Sequence, residues 1–295
     1  MDRREFVKSS LVGAGAAAGL SSGGLPAAAA EKPQATAVLK LCSQDSRIPG
    51  KSLKEKAENL LKWGGVGLEL GAIDVNRAKQ ARKELEGTGA GIAALCYGYI
   101  PLIDPDEEKR RKGVESLKKA LEAAGEAGST GVIFVPAFNQ NPQLPFAEGR
   151  KVLVGLLPAV GEYAVKCGTR VLLEPLNRGE ARFLNQLAVA ASICRDCKSD
   201  GIDMMGDFYH MFIEETSDEG AFLSAGKYLH HVHLASRQRN LPGQDERSFV
   251  DGFRGLKRIG YQDYCSLECG CKGDPMVEIP KSFAFLKSEW KKATV

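Results

Sequence analysis

The 295-residue sequence has little net charge, few histidines and no long run of strongly apolar residues. Forty lysines and arginines oppose 37 aspartates and glutamates, so the formal net charge is only +3. A balance this close gives no reason to expect nucleic acid or an anionic membrane surface as a partner. Hydrophobic residues nevertheless make up 43% of the chain, an ordinary globular content that is sufficient for a full core.

Charge is most clearly missing close to the N-terminus. Arg3, Arg4 and Lys8 precede 22 uncharged residues, from Ser9 to Ala30. These residues are rich in alanine and glycine and lack the leucine, isoleucine and phenylalanine density of a membrane-spanning helix. A basic start, a mildly apolar middle and a small-residue end are typical of a cleavable export signal, and the Arg-Arg pair resembles the twin-arginine type. We therefore predict an export signal at residues 1–30 and a periplasmic or otherwise exported mature protein without stable membrane insertion.

Beyond residue 30, no low-complexity linker or internal repeat divides the chain. Short apolar runs alternate with longer segments of helical character, and runs such as 132–135 are typical of strands buried on both faces of a parallel sheet. Eight such pairs predict a single (β/α)₈ TIM barrel spanning residues 31–295. An open doubly wound sheet is the alternative, disfavoured because no Gly-x-Gly-x-x-Gly turn follows the first strand. The predicted strands are 37–42, 66–70, 91–96, 131–136, 169–174, 201–207, 228–234 and 264–268.

Eight cysteines raise the question of a disulfide scaffold or a zinc site. A disulfide scaffold is not expected in a chain this large. Cys194-x-x-Cys197 has a spacing that zinc sites use, but it lies in a segment that we interpret as a helix with partly buried small residues. We interpret these thiols as core residues.

Four ionisable residues close the last four predicted strands: Glu174, Asp207, His233 and Glu268. They are separated by 33, 26 and 35 residues, each about one strand–helix unit. In a barrel they would project from the carboxyl ends of consecutive strands, where barrel enzymes place their active sites. Three carboxylates cannot stay ionised side by side unless a cation offsets their repulsion. Three oxygen donors and one imidazole predict one divalent metal ion, Mn²⁺ first, with Mg²⁺ or Co²⁺ as alternatives.

Three further residues near these positions have open interpretations. His231 alternates with His233 along one strand and shares its face, so it is a candidate partner that supports His233. His230 points the other way and is interpreted as structural. Glu69 closes the second strand and either reaches the pocket or forms a structural salt bridge.

The segments from Glu174 onward resemble the sugar isomerase/epimerase branch of the xylose isomerase-like barrels, particularly the ketose 3-epimerases of the D-tagatose/D-psicose type. The segments that carry the resemblance are Glu174-Pro175-Leu176-Asn177-Arg178-Gly179-Glu180, Asp207-Phe208-Tyr209-His210, His231-Val232-His233 with Arg239 six residues on, and Leu267-Glu268. The resemblance implies that Glu174, Asp207, His233 and Glu268 bind the metal. It implies that Glu174 and Glu268 are the catalytic acid/base pair. It also implies that Glu180, His210 and Arg239 contact the substrate.

Such a site would move a proton on the carbon beside a ketose carbonyl. A metal at the carbonyl stabilises the enediolate that forms when the proton leaves. One carboxylate removes the proton, and a second on the opposite face returns one with inverted configuration. The expected partner is a small-molecule sugar, and the sequence leaves a homo-oligomer open.

Several alternatives stay open beside this interpretation. An exported relative could act on 3-keto-glycosides by isomerisation, epimerisation or elimination, or could be a non-catalytic carbohydrate-binding barrel. The fold family also includes a tri-zinc endonuclease for abasic DNA and two-metal xylose isomerases. Both need histidines on early strands, whereas no histidine precedes His210 in this chain.

Overall fold

The computed structural model describes residues 36–295, and within that range eight parallel strands close into a barrel in chain order. The strands are β1 (Lys40–Gln44), β2 (Gly67–Gly71), β3 (Gly91–Tyr99), β4 (Val132–Val135), β5 (Val171–Leu173), β6 (Ile202–Asp207), β7 (Leu229–Leu234) and β8 (Tyr264–Leu267). Strand β8 pairs with β1 and completes the ring. The (β/α)₈ prediction is confirmed, and the open doubly wound alternative is wrong.

Helices follow the strands and cover the outside of the barrel. They are α1 (Leu53–Lys62), α2 (Val75–Leu85), α3 (Glu107–Ala127), α4 (Phe146–Lys166), α5 (Leu187–Cys197), α6 (Phe208–Glu214), α7 (Asp218–Ala225), α8 (Val250–Arg258) and α9 (Pro275–Lys292). Among residues 36–295, no helix has both the length and the apolar character needed to cross a membrane. The predicted export signal at residues 1–30 lies outside the described residues and stays a prediction.

Helix α6 is an element that the sequence reasoning did not separate. It begins directly after β6 because the side chain of Asp207 caps it: Asp207 Oδ1 accepts a hydrogen bond of 2.7 Å from the backbone N–H of Tyr209. One carboxylate therefore ends a strand, starts a helix and keeps its second oxygen free to face the barrel mouth.

Side-chain alternation along the strands divides the apolar residues between two compartments. Val132 and Phe134 pack in the main core between sheet and helices, whereas Ile133 packs in a separate cluster. That cluster takes one buried side chain from each of four consecutive strands, namely Ala94, Ile133, Leu172 and Met205. It fills the interior of the barrel, as the period of two along a strand requires.

The cysteines follow the same division. Cys194 and Cys197 are buried in α5 and belong to the main core, together with Cys265 and Cys269. The interpretation of these thiols as core residues is confirmed. No disulfide joins cysteines within residues 36–295.

Close packing between α4 and the start of β6 requires two glycines in contact. A Cβ atom added to Gly201 would lie 2.1 Å from the carbonyl oxygen of Gly161, well inside contact distance. We expect Gly201→Ala to lower the free energy of unfolding by about 1–3 kcal/mol, because helix and strand must separate to admit the methyl group.

The exposed helical residue Gly155 is the matched control. A Cβ atom there meets nothing within 4 Å. Gly155→Ala should therefore raise the free energy of unfolding by about 0.5–1 kcal/mol. Urea unfolding followed by circular dichroism measures both variants, and equal midpoints would contradict the packing account.

Candidate active site at the carboxyl end of the barrel

The last four strands bring the four predicted ligands together. Asp207 is the last residue of β6, His233 lies in β7, and Glu174 and Glu268 directly follow β5 and β8. One ligand atom from each residue lies within 4.8 Å of the others. The Nδ1 atom of His233 is central: it lies 3.3 Å from Glu268 Oε2 and 3.6 Å from Glu174 Oε1. Asp207 Oδ2 is 4.0 Å from the same nitrogen.

Two atoms at the centre of this group have no protein partner. Among the described residues, Asp207 Oδ2 and His233 Nδ1 are buried side-chain atoms without a hydrogen bond. A buried polar atom left unsatisfied costs about 1–3 kcal/mol. Three carboxylates and an imidazole with free lone pairs therefore fit a divalent cation, the group that the sequence predicts there.

Burial and mutual repulsion shift the carboxyl groups in different directions. Burial raises the pKa of Glu174, and the charge of Glu268 raises it further. Burial likewise raises the pKa of Asp207 to about 7, with a contribution from Glu268. Burial acts on Glu268 in the same sense, but His233 and Arg239 outweigh it and lower its pKa to about 2. The charged imidazole of His233 is the main offset to this crowding, because Glu69 and Glu268 raise its pKa despite burial.

Glu69 lies beneath this group, inside the barrel. Its Oε2 atom is 2.8 Å from Nε2 of His231 and 2.9 Å from Nε2 of His233. Its Oε1 atom accepts a hydrogen bond of 3.0 Å from Gln44. Of the two interpretations left open by the sequence, the structure shows Glu69 in the pocket, and His231 contacts Glu69 rather than the four-residue group. Glu69, His231 and His233 also form a second set of three ligand atoms within 4.8 Å of one another.

His230 takes no part in the site. Its Nδ1 atom is 2.7 Å from Asp263 and its Nε2 atom is 3.8 Å from Asp203, near the amino-terminal ends of the strands. The interpretation of His230 as a structural residue is confirmed.

Arg239 and Glu180 lie at the rim of the site, close to Glu268. Arg239 donates hydrogen bonds to Glu268 Oε2 at 2.9 Å and to Glu180 Oε1 at 3.3 Å. Its guanidinium group lies 4.7 Å from the ring centre of Tyr209. The backbone of Arg239 is left-handed, with φ of 55°, and Gly270 secures it by donating a hydrogen bond of 2.8 Å to the Arg239 carbonyl.

His210 is buried beside Asp207 with a defined proton position. Its Nδ1 atom accepts a hydrogen bond of 3.1 Å from the backbone N–H of Asn177, so the ring carries its proton on Nε2. That Nε2 atom faces Asp207 Oδ2 at 3.6 Å. Burial and the charge of Arg239 lower the pKa of His210 to about 3, so the ring is neutral.

Two residues at the site were not singled out by the sequence reasoning. Asn177 contacts His210 and also donates a hydrogen bond of 2.9 Å to Glu180. Gln44 connects Glu69 with Glu268, donating to each at 3.0 Å. Gln44 ends β1, so the rule that selected strand-terminal polar residues would have found it if applied to amides as well as ionisable groups.

The arrangement suits proton transfer on a polar substrate. Glu174 and Glu268 approach the same imidazole nitrogen from β5 and β8, two strands that are not neighbours in the barrel. A small molecule held between them would meet two carboxyl groups of different basicity, together with the N–H groups of His210 and Arg239.

Known proteins share this sequence pattern and fold. A family model described as a xylose isomerase-like TIM barrel matches residues 60–289. The 3-dehydro-D-guloside 4-epimerase of Escherichia coli (strain K12) is 30% identical over 262 residues, which cover 85% of this chain and 100% of that protein. The ketose 3-epimerase of Arthrobacter globiformis is 28% identical over 193 residues, or 64% of this chain and 66% of that protein.

A solved structure extends the likeness to three dimensions. The apo crystal structure of 3-keto-D-glucoside 4-epimerase from E. coli matches with a TM-score of 0.76 at 28% identity, covering 85% of this chain and 100% of that one. These relatives are sugar epimerases. On the family match over most of its length, this chain belongs to the xylose isomerase-like TIM barrel family.

Proposed function

We propose that this protein is a divalent-metal-dependent sugar epimerase that moves a proton on a carbon beside a ketone. The observation that carries the proposal is the convergence of Glu174, Asp207, His233 and Glu268 on one buried point where two polar atoms lack partners in the described chain. The sugar epimerases among the relatives support the same reaction class.

The four converging residues would hold the metal, and Mn²⁺ is the ion that we propose. A divalent ion at this point would polarise a carbonyl oxygen and so acidify the adjacent C–H bond. The two carboxyl groups then share the proton transfer. Glu268, with its low pKa, is ionised and accepts the proton, while Glu174, with its raised pKa, holds a proton that it returns to the opposite face of the enediolate. In the reverse reaction the two residues exchange roles.

The rim residues would orient the sugar. His210 presents a neutral Nε2–H toward the site, a donor for a substrate oxygen. Arg239 carries a positive charge beside Glu268 and Glu180 and could replace either carboxylate with a substrate hydroxyl or oxyanion. Glu180 would accept a hydrogen bond from a sugar hydroxyl.

A 3-keto-glycoside is the substrate class that we favour over a free ketose. The E. coli enzyme named for a 3-dehydro-glycoside matches this chain over its entire length, whereas the Arthrobacter ketose 3-epimerase matches over 66% of its own. A free ketose epimerised at C3 is the second candidate, because it would use the same two glutamates.

Metal binding is the first test of the proposal. The purified protein should bind about one Mn²⁺ per chain, and Asp207→Ala should weaken that binding at least about 100-fold because it removes a buried ligand. Isothermal titration of the metal-free protein measures both values. Asp203→Asn, which changes a carboxylate at the other end of β6, should bind Mn²⁺ as the wild type does.

Proton transfer is the second test. In deuterated water the enzyme should exchange a carbon-bound hydrogen of its keto sugar, and Glu268→Gln should slow this exchange by about 10²–10⁴-fold. Mass spectrometry of the sugar follows the exchange, and the Mn²⁺ content of the variant is measured in parallel. Sugar binding by the wild type without any exchange would instead favour the carbohydrate-binding barrel.

Substrate choice is the third test. We expect kcat/KM for methyl 3-keto-glucoside to exceed that for D-psicose or D-tagatose by about tenfold or more, the discrimination that one or two well-placed contacts provide. Proton NMR identifies the carbon that changes configuration. A higher kcat/KM for the free ketoses would reverse the preference between the two candidates while leaving the reaction class intact.

A further inference from the structure

We propose that Glu69 and Gln44 are positioning residues that fix the imidazole of His233 and the carboxylate of Glu268 in the orientations the site requires. This inference rests on the proposed function and assigns a role to a group of side chains beneath the ligands. We call Glu69, Gln44 and His231 the brace.

The first step concerns the proton of His233. A carboxylate only accepts hydrogen bonds, so each ring nitrogen that contacts Glu69 must donate. Nε2 of His231 and Nε2 of His233 both contact Oε2 of Glu69, at 2.8 and 2.9 Å. The proton of His233 is therefore held on Nε2, and the lone pair of a neutral ring is left on Nδ1, the atom that faces the three carboxylates. A carboxylate behind a ligating histidine commonly performs this task.

The second step concerns what keeps Glu69 in place. All three members of this contact, Glu69, His231 and His233, are 0% exposed. An isolated ionised carboxylate in such surroundings would be strongly disfavoured. Three donors, two imidazoles and the Gln44 amide, satisfy Glu69. His231 is thus part of the support for Glu69, which gives it a function although it does not face the four ligands.

The third step concerns Glu268. The side-chain amide of Gln44 has two hydrogens and donates to two carboxylates, Glu69 Oε1 and Glu268 Oε1, each at 3.0 Å. With Oε1 held, Oε2 of Glu268 faces Arg239 at 2.9 Å and His233 Nδ1 at 3.3 Å. Gln44 therefore couples the orientation of the proposed base to the orientation of the proposed ligand.

A different use of the same atoms is a second metal site at Glu69, His231 and His233. The short distances from one oxygen to two ring nitrogens, together with the donor from Gln44, are those of a filled hydrogen-bond network. The brace therefore predicts one bound ion per chain, and a second site predicts two.

Titration of the metal-free full chain with Mn²⁺ tests the brace without reference to activity. Glu69→Gln should weaken binding by about 10- to 100-fold, because an amide can accept from one ring but presents an N–H to the other. Gln44→Ala should also weaken binding. The double variant should lose less than the product of the two single losses, since the residues act through one network. Asp203→Asn, another buried carboxylate that contacts a β7 histidine, is the matched control and should bind as the wild type does.

A second measurement needs no variant and so does not depend on variant folding. In the wild type labelled with ¹⁵N-histidine and loaded with diamagnetic Mg²⁺, long-range ¹H–¹⁵N spectra should show His233 protonated on Nε2 and not on Nδ1. A proton on Nδ1, two ions per wild-type chain, or unchanged Mn²⁺ affinity in Glu69→Gln would each overturn the brace. If the wild type bound no divalent ion at all, the proposed function itself would fail, and the brace with it.

Discussion

The site depends on how one imidazole is shared among four carboxylates in a water-poor interior. His233 contacts Glu69 through one ring nitrogen and faces Glu174, Asp207 and Glu268 with the other. Opposite charges at these distances attract strongly where the effective dielectric is low, and like charges repel as strongly. The raised pKa values of Glu174 and Asp207 show that the imidazole alone does not balance the group. The need for a further positive charge follows from this imbalance.

The barrel makes such crowding possible. Asp207 pairs with His233 across β6 and β7, and His233 pairs with Ser266 across β7 and β8, one residue pair before the strand end at Leu267 and two before Glu268. Parallel register therefore places side chains distant in sequence at one rim. The hydrophobic layer beneath, from Ala94 to Met205, excludes water from below. The fold thus holds the charges together, although they would separate in a flexible chain.

Much of this arrangement was predictable from the sequence, because it follows repeating rules. The order of the elements follows from apolar runs and helical periods, and the convergence of Glu174, Asp207, His233 and Glu268 follows from the rule that strand ends share a rim. The brace did not follow from either. Glu69 and His231 are 162 residues apart, and a lone glutamate at a strand end carries no signal of its partner. Helix α6 was missed for a local reason, since seven residues are too few to show a period clearly. The role of Asn177 depends on its backbone N–H, which sequence patterns do not report.

The left-handed backbone of Arg239 has a consequence for how the site opens. Its carbonyl is fastened to Gly270, in the segment after β8, while its side chain grips Glu268 and Glu180. A sugar that draws the guanidinium toward its own oxygens must loosen ion pairs that already exist. Net affinity is then the small remainder of an exchange of partners, and the grip on the substrate can be firm in place yet weak enough to release the product.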